Sequence, residues 1–372
     1  MRLRSSHKGT MSLGFTAACA AVMLCLSMPA QAQTATADDG SSSNPPSLQL
    51  LGYADSSFLA EWPDVGKSSN GFHLGEFDLL FTSTLGPSWS ALAELVLEGE
   101  DSNEFKLELE RAVLTYSPSD KFALSMGRFH SVISYYNASF PHASWFQVAA
   151  NRPYTQAFED EGGLLPSHAV GVSLTSRQGG PLRPRFILEV SNGIGVNNLG
   201  TSAATVDVQG SSDQNNHKSI TGAVQIRPVR VPGLQVGVAA LFDTVGSSSL
   251  KDVSERVISG HLVYQDDAWE WITEGYGIQH QLQGAKAADS SGIYTQLARQ
   301  VRTARPFVRY ERRHLAPNDP LHVGDSGTLQ GPSVGVRFDP SRFVGIKAQL
   351  DWLTGDADQG RKRFVSQISF AF

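Results

Sequence analysis

Charged residues recur at every second position in several stretches of this 372-residue chain. Glu76 and Asp78 alternate with Phe77, Leu79 and Phe81, and Glu94 and Glu98 alternate with Ala93, Leu95 and Leu97. Lys106, Glu108 and Glu110 alternate with Phe105, Leu107 and Leu109. Later, Arg309, Glu311 and Arg313 alternate with Val308 and Tyr310, and Arg337 sits between Val336 and Phe338. Lys347, Gln349 and Asp351 are interleaved with Ile346, Ala348, Leu350 and Trp352. Side chains of a strand point alternately to its two faces, so each stretch has one apolar and one charged face. The chemistry of such a set is electrostatic rather than covalent. Acids on early strands facing bases on late strands across water create a transverse field that sorts charged and dipolar solutes. The plainer alternative is an interior solvated by polar residues that pair with their neighbours.

Covalent chemistry has little support. A hydrolase needs a nucleophile, a base and an orienting group. His130, His142, His168, His261, His280 and His314 have serines nearby, as any chain this rich in serine would, but no recognisable motif. There is no GxSxG, no phosphate loop and no dinucleotide fingerprint. Gly193-Ile194-Gly195 and Gly275-Tyr276-Gly277 fall in strand-like surroundings, where they suggest bulges or close packing. A metal centre wants closely spaced histidines and carboxylates. His314 and His322 share a loop without that spacing, and no metal or cofactor is expected.

The elements that would position the charges are strands. Alternation and turn residues mark sixteen segments, at 48–59, 71–85, 89–98, 104–116, 121–131, 166–176, 183–193, 218–227, 234–243, 255–265, 268–280, 291–301, 305–314, 330–338, 343–353 and 363–372. In 104–116 the parity slips near Arg111, so a bulge is expected there. Short turns such as Gly86-Pro87-Ser88, Asp266-Asp267 and Asp339-Pro340-Ser341-Arg342 alternate with long polar connections such as 194–217, 315–328 and 354–362. A β-sandwich also has one dry and one wet face per strand. Strict alternation of connection length is a feature of barrels that cross a bilayer. The fold expected is all-β: a 16-stranded antiparallel transmembrane β-barrel over 48–372. Trp89, Trp269, Trp271, Tyr310, Trp352 and Phe372 would face lipid as interfacial anchors.

The two ends agree. Arg2, Arg4 and Lys8 precede an apolar run from Leu13 to Met28 and a small-x-small site at Ala30-Gln31-Ala32, the layout of an export signal over 1–32. Residues 33–47, rich in Ser, Asp and Pro, read as a flexible lead. Cys19 and Cys25 both lie in the export segment, so its removal leaves no thiol. It also takes three bases from the 30 Lys+Arg, leaving 27 against 36 Asp+Glu, a formal charge of −9. That balance argues against a nucleic-acid partner. At the other end, Phe364, Ile368, Phe370 and Phe372 share one parity, and Val365, Gln367, Ser369 and Ala371 the other. A strand ending in Phe resembles the carboxy-terminal signature of bacterial outer-membrane β-barrels.

Residues 132–165 form the longest connection, after strand five, and connections of this length are uncommon unless they are functional or disordered. Tyr135, Tyr136, Phe140, Trp145, Phe146, Tyr154 and Phe158 make it too apolar for a free coil, so its rings are expected to pack against the barrel wall. Sixteen strands, a terminal Phe, this loop and the stretch Leu124-Ser125-Met126-Gly127-Arg128-Phe129 together resemble Gram-negative trimeric porins, nearest to the phosphate-selective O/P-type group. The chain lacks the lysine ladder or dense arginine set of anion-selective members. The resemblance implies a third loop folded inward as a constriction. It implies Glu159, Asp160 and Glu161 as the acidic side of the narrowing and Arg111, Arg128, Arg309, Arg313 and Arg337 as wall cations; strand parity places Glu76, Asp78, Glu94, Glu108 and Glu110 on the lumen side. It implies passive diffusion of small hydrophilic or charged solutes, a homotrimer, and contact with outer-membrane lipid and lipopolysaccharide. A barrel enzyme and an adhesin or structural barrel without a channel are the alternatives.

Overall fold

In the computed structural model the described residues are 47–99, 103–140, 142–158, 162–197, 205–207, 213, 216–247, 250–323, 326–356 and 360–372. The expected segments 1–32 and most of 33–47, and the triplet Glu159, Asp160 and Glu161, lie outside them.

Alternating apolar and polar residues form strands in the expected places. They are β1 (Ser47–Pro63), β2 (Ser69–Thr84), β3 (Trp89–Gly99), β4 (Phe105–Ser119), β5 (Phe122–His130), β6 (His168–Arg177) and β7 (Arg185–Ser191). After two three-residue strands, β8 (Gly195–Asn197) and β9 (Thr205–Asp207), come β10 (Ser219–Ile226), β11 (Leu234–Ser247), β12 (Leu250–Gln265), β13 (Trp269–Leu282) and β14 (Ala288–Arg299). The last four are β15 (Ala304–Leu315), β16 (Gly327–Ser341), β17 (Val344–Gly355) and β18 (Arg361–Ala371). Strands β8 and β9 pair with each other inside the β7–β10 connection, and β7 pairs directly with β10. The remaining sixteen run antiparallel to their neighbours, and β1 pairs with both β2 and β18, so the sheet closes.

Closure satisfies every strand's backbone from within the sheet, the requirement for crossing a bilayer with strands. It runs to the last residue. Gly52 N donates to Phe372 O at 2.9 Å, and Phe372 N donates to Gly52 O at 2.9 Å. The absence of a side chain at Gly52 lets the Phe372 ring lie over the strand, since a Cβ there would stand 2.3 Å from the ring and push it aside.

The outside is apolar. Phe72 is 86% exposed, and Met126, Leu107 and Ile258 are 67–68% exposed. A water-soluble monomer rarely carries such a surface, whereas lipid requires it. Trp89, Trp269, Trp271, Tyr310, Trp352 and Phe372 are all exposed on this outer face. The charged parity points inward, as the alternation requires: Asp78, Glu94, Glu108, Glu110, Arg309, Glu311, Arg337, Lys347 and Asp351 are buried. The bulge expected near Arg111 is present. Register shifts between the pairs Glu94/Arg111 and Leu95/Leu109, so consecutive residues Glu110 and Arg111 both turn to the interior.

Opposite the bulge, Gly127 of β5 takes φ +132°, and a Cβ at that position would stand 2.0 Å from Ala112 O. Gly127→Ala is therefore expected to destabilise the refolded barrel by about 1–3 kcal/mol, read as a lowered urea midpoint.

Candidate functional site

The 131–167 connection does not project from the barrel; it is bound inside it. Its start is helical because Ser134 caps α1 (Tyr135–Ser139), accepting from Asn137 N at 3.1 Å. The free amides of the first turn, Tyr135 N and Tyr136 N, donate at 2.7 and 3.1 Å to the carboxylate of Glu274 on β13. An acid at a helix N-terminus meets both the orphan amides and the positive end of the helix dipole. Short 3-10 turns follow at Ser144–Phe146 and Tyr154–Gln156.

Apolar packing holds one side of the loop. Ile133, Leu164 and Leu165 join Ile187, Ala223, Leu241, Val257 and Ile278 of the wall in one buried cluster. Tyr136 packs with Val263, Ile272 and Tyr294, and Val148 and Ala149 pack with Ala298 and Phe307. The loop's aromatic residues thus do what their composition implied. Inside this barrel the wall from β7 round to β15 is partly apolar, and the loop covers it.

Buried charges and amides hold the rest. Arg309 of β15 donates to Asn151 O at 3.0 Å and Arg152 O at 3.4 Å, and its Nε lies 2.6 Å from Glu311. Arg337 of β16 donates to Gln147 O at 3.0 Å and to Trp145 O, and pairs with Asp339 at 2.7 Å. Lys347 of β17 donates to Ser144 O, and Gln349 accepts from Ala150 N at 2.9 Å. Glu189 of β7 accepts from Ser131 Oγ at 2.9 Å and from Val132 N, while Tyr276 donates to Thr155 O at 2.8 Å. Arg309 and Arg337, expected among the wall cations of a constriction, thus reach the interior with guanidinium groups occupied by loop carbonyls. They act as anchors. Arg313, partly exposed, donates to Gly162 O at 3.2 Å.

The acidic sector faces the loop across β2, β3 and β4. Arg111 pairs with Glu94, Lys106 with Glu108, and Arg128 Nε donates to Glu110 O at 3.0 Å. His142, at the middle of the loop, lies 3.2 Å from Glu76, 3.4 Å from Glu98 and 3.4 Å from Glu110. Phe158 stacks on it at 3.8 Å with the rings 2° from parallel, and the Arg152 guanidinium stands 3.6 Å from the Phe158 centroid. Burial pushes the His142 imidazolium down, but the carboxylates of Glu76, Glu110 and Glu98 outweigh it and raise the group to about 10. The sequence reading missed Glu189 and Glu274, and it weighed His130, His142 and His168 only as parts of a hydrolase, not as loop contacts. The signal that marks them is inward parity, or place in the loop, combined with a charge that no sequence neighbour satisfies.

Open space remains on both sides of the loop. On the short-turn side are cavities of about 410 Å³, lined by Arg111, Thr115 and His130, and about 350 Å³, lined by Arg177, Arg185, Arg227, Gln225 and Gln235. On the long-connection side is one of about 420 Å³, lined by Asp55, Glu76, His142, Arg152, Arg361 and Arg363.

A closed barrel of this strand count with an internal third loop is the architecture of porins. No family model matches the chain, and no curated protein matches its sequence. Among solved structures, the anion-selective porin from Comamonas acidovorans superimposes with a TM-score of 0.62 at 13% identity, covering 88% of this chain and 100% of that one. The outer membrane channel DcaP of Acinetobacter baumannii gives 0.59 at 10% identity, covering 88% and 98%. OmpT of Vibrio cholerae, in a trimer form, gives 0.56 at 10% identity, covering 88% and 100%. These likenesses establish the fold.

Two outcomes follow from the anchors. Replacing Glu274 by Ala strands two amides at the head of α1, a loss of about 2–4 kcal/mol to the seated loop. Limited proteolysis of the folded barrel should then cut within 131–167 where the parent chain resists. The pH dependence comes from His142. Its folded value lies above the ordinary 6.5, so its contribution is complete below about 6.5 and is lost as pH rises toward about 10. Protease resistance of the loop should fall between those values, and His142→Gln should flatten that dependence.

Proposed function

We propose that this chain is a porin-type channel of the Gram-negative outer membrane through which small hydrophilic solutes diffuse passively, with small anions passing more readily than cations. The observation that carries the reading is a closed, lipid-faced barrel whose lumen is narrowed by an internal loop seated on buried charges. The distribution of charge supports the anion preference. Glu94, Glu108 and Glu110 are at most 2% exposed and are matched by Arg111, Lys106, His142 and His168. The short-turn cavity instead presents Arg177, Arg185 and Arg227, while the long-connection cavity carries Arg152, Arg361 and Arg363 beside Asp55 and Glu76. Fixed cations along a water path raise the local concentration of anions.

Affinity with the O/P-type group rests on the short stretch Leu124–Phe129. The three arginines of the short-turn cavity partly supply the basic set that the sequence lacks as a ladder. A homotrimer in contact with lipid and lipopolysaccharide, and export directed by residues 1–32, belong to the same proposal; the trimer form of the Vibrio OmpT supports the first of these. Glu159, Asp160 and Glu161 remain proposed as the acidic rim of the narrowing.

Planar-bilayer recording with a salt gradient tests the reading. Conductance steps arriving in threes and an anion-favouring reversal potential are expected. Replacing Arg177, Arg185 and Arg227 by Gln should move that potential toward cations, and neutralising Glu159, Asp160 and Glu161 should move it further toward anions. A folded, electrically silent barrel would instead favour the enzyme or adhesin alternatives.

A further inference from the structure

We propose that Glu110, His130 and His168 form a site for a divalent transition-metal ion of the zinc class, closing the neck of the internal loop. One ligand atom from each of the three lies within 4.8 Å of the others. The placement follows from the strands. His130 is the last residue of β5 and His168 the first of β6, and they stand directly opposite each other in register. Directly opposed residues of an antiparallel pair bring their Cβ atoms to about 5 Å, close enough for two imidazoles to share an ion. Their rings are 5.2 Å apart and edge-to-face. Glu110 comes from β4, turned inward by the bulge beside Arg111.

Burial gives the group its chemical demand. Glu110 is fully buried and His130 is 9% exposed. Neither ring nitrogen of His130 finds a hydrogen-bond partner among the described residues. Buried imidazoles are ordinarily satisfied, and a metal ion would satisfy one nitrogen here. Two imidazoles with one carboxylate suit zinc, cobalt or nickel, whereas calcium and magnesium take oxygen ligands. His130 also lines the 410 Å³ cavity, which gives the ion a route in and leaves room for a water as fourth ligand.

The surrounding charges tolerate a cation. Arg111 is paired with Glu94, Arg128 points its Nε at the Glu110 carbonyl, and Lys106 is paired with Glu108. His168 Nε2 lies 2.5 Å from a Glu110 oxygen, a contact the ion would replace, and His142 Nε2, 3.4 Å from the same carboxylate, is the competing positive group. A bound ion would join both ends of the loop to a third strand, independently of whether the lumen conducts.

Zinc titrated calorimetrically into the untagged, refolded barrel is expected to saturate at one ion per chain. His130→Gln and His168→Gln should each weaken binding by about 10- to 100-fold, taking the loss seen for supporting residues of metal sites as a lower guide. His73→Gln, an exposed residue of β2 outside the neck group, should bind like the parent. Equal binding by the parent and both neck variants, or no saturable binding, overturns the assignment. So does loss of the ion in His142→Gln with retention in His130→Gln, which would place it at the neighbouring Glu76, Glu98 and His142 group. Should the neck variants fail to fold, cobalt decides on the parent chain. An intense visible spectrum of tetrahedral type is expected, and a weak octahedral spectrum alone would sink the proposal.

Discussion

A strand in lipid has no water to receive its amides and carbonyls, and each unmatched group costs several kcal/mol. The pairing of β1 with β18 removes that cost from the last two edges of the sheet, over the register Tyr53/Ala371 to Pro63/Arg361. Everything else in the molecule depends on that seam. With the sheet closed, the two parities of each strand acquire fixed solvents, lipid for one and the lumen for the other. An inward charge is then confined with its neighbours for good. Phe372 marks the arrangement in small: its backbone completes the ladder against Gly52 while its ring lies in the apolar outer face, near Phe77.

Confinement explains how the lumen is used. An isolated buried cation would be prohibitive, and Arg309 and Arg337 each pair through Nε with one carboxylate, Glu311 and Asp339, which leaves their other guanidinium donors and the Lys347 ammonium to be satisfied. Loop carbonyls make up the difference. On the opposite sector the surplus is negative, and the loop answers with His142. One segment therefore presents acceptors to the basic wall and a cation to the acidic wall. The seating is electrostatic complementarity within a single chain, reinforced where the wall turns apolar by Ile133, Leu164 and Leu165.

Much of this was legible in the sequence because period two is a local property. Runs such as Lys106 to Glu110 or Val344 to Trp352 need no partner to declare their faces, and the slip near Arg111 was visible as a break in that rhythm. The loop's burial was legible in its aromatic content. The destination of Arg309 and Arg337 was not. Parity sends both inward, but which group meets them depends on the path of a loop some 160–190 residues away in sequence. The opposed pair His130 and His168 was hidden for a related reason, since it emerges when the ends of β5 and β6 are laid side by side. The roles of Glu159, Asp160 and Glu161 rest on the sequence resemblance.

The spread of the anchors fixes an order of events. Loop residues 131–156 bind side chains of β7, β12, β13, β15 and β17, strands that follow the loop in the chain and come together in the closing cylinder. No subset of neighbouring strands offers the loop its whole seat. The segment must therefore wait, apolar rings and all, until synthesis has passed it by some two hundred residues and the wall is assembled. A barrel that shelters its own late-docking piece has in effect a built-in client during biogenesis. Protection of that piece from premature collapse is a task left to whatever escorts the unfolded chain to the membrane.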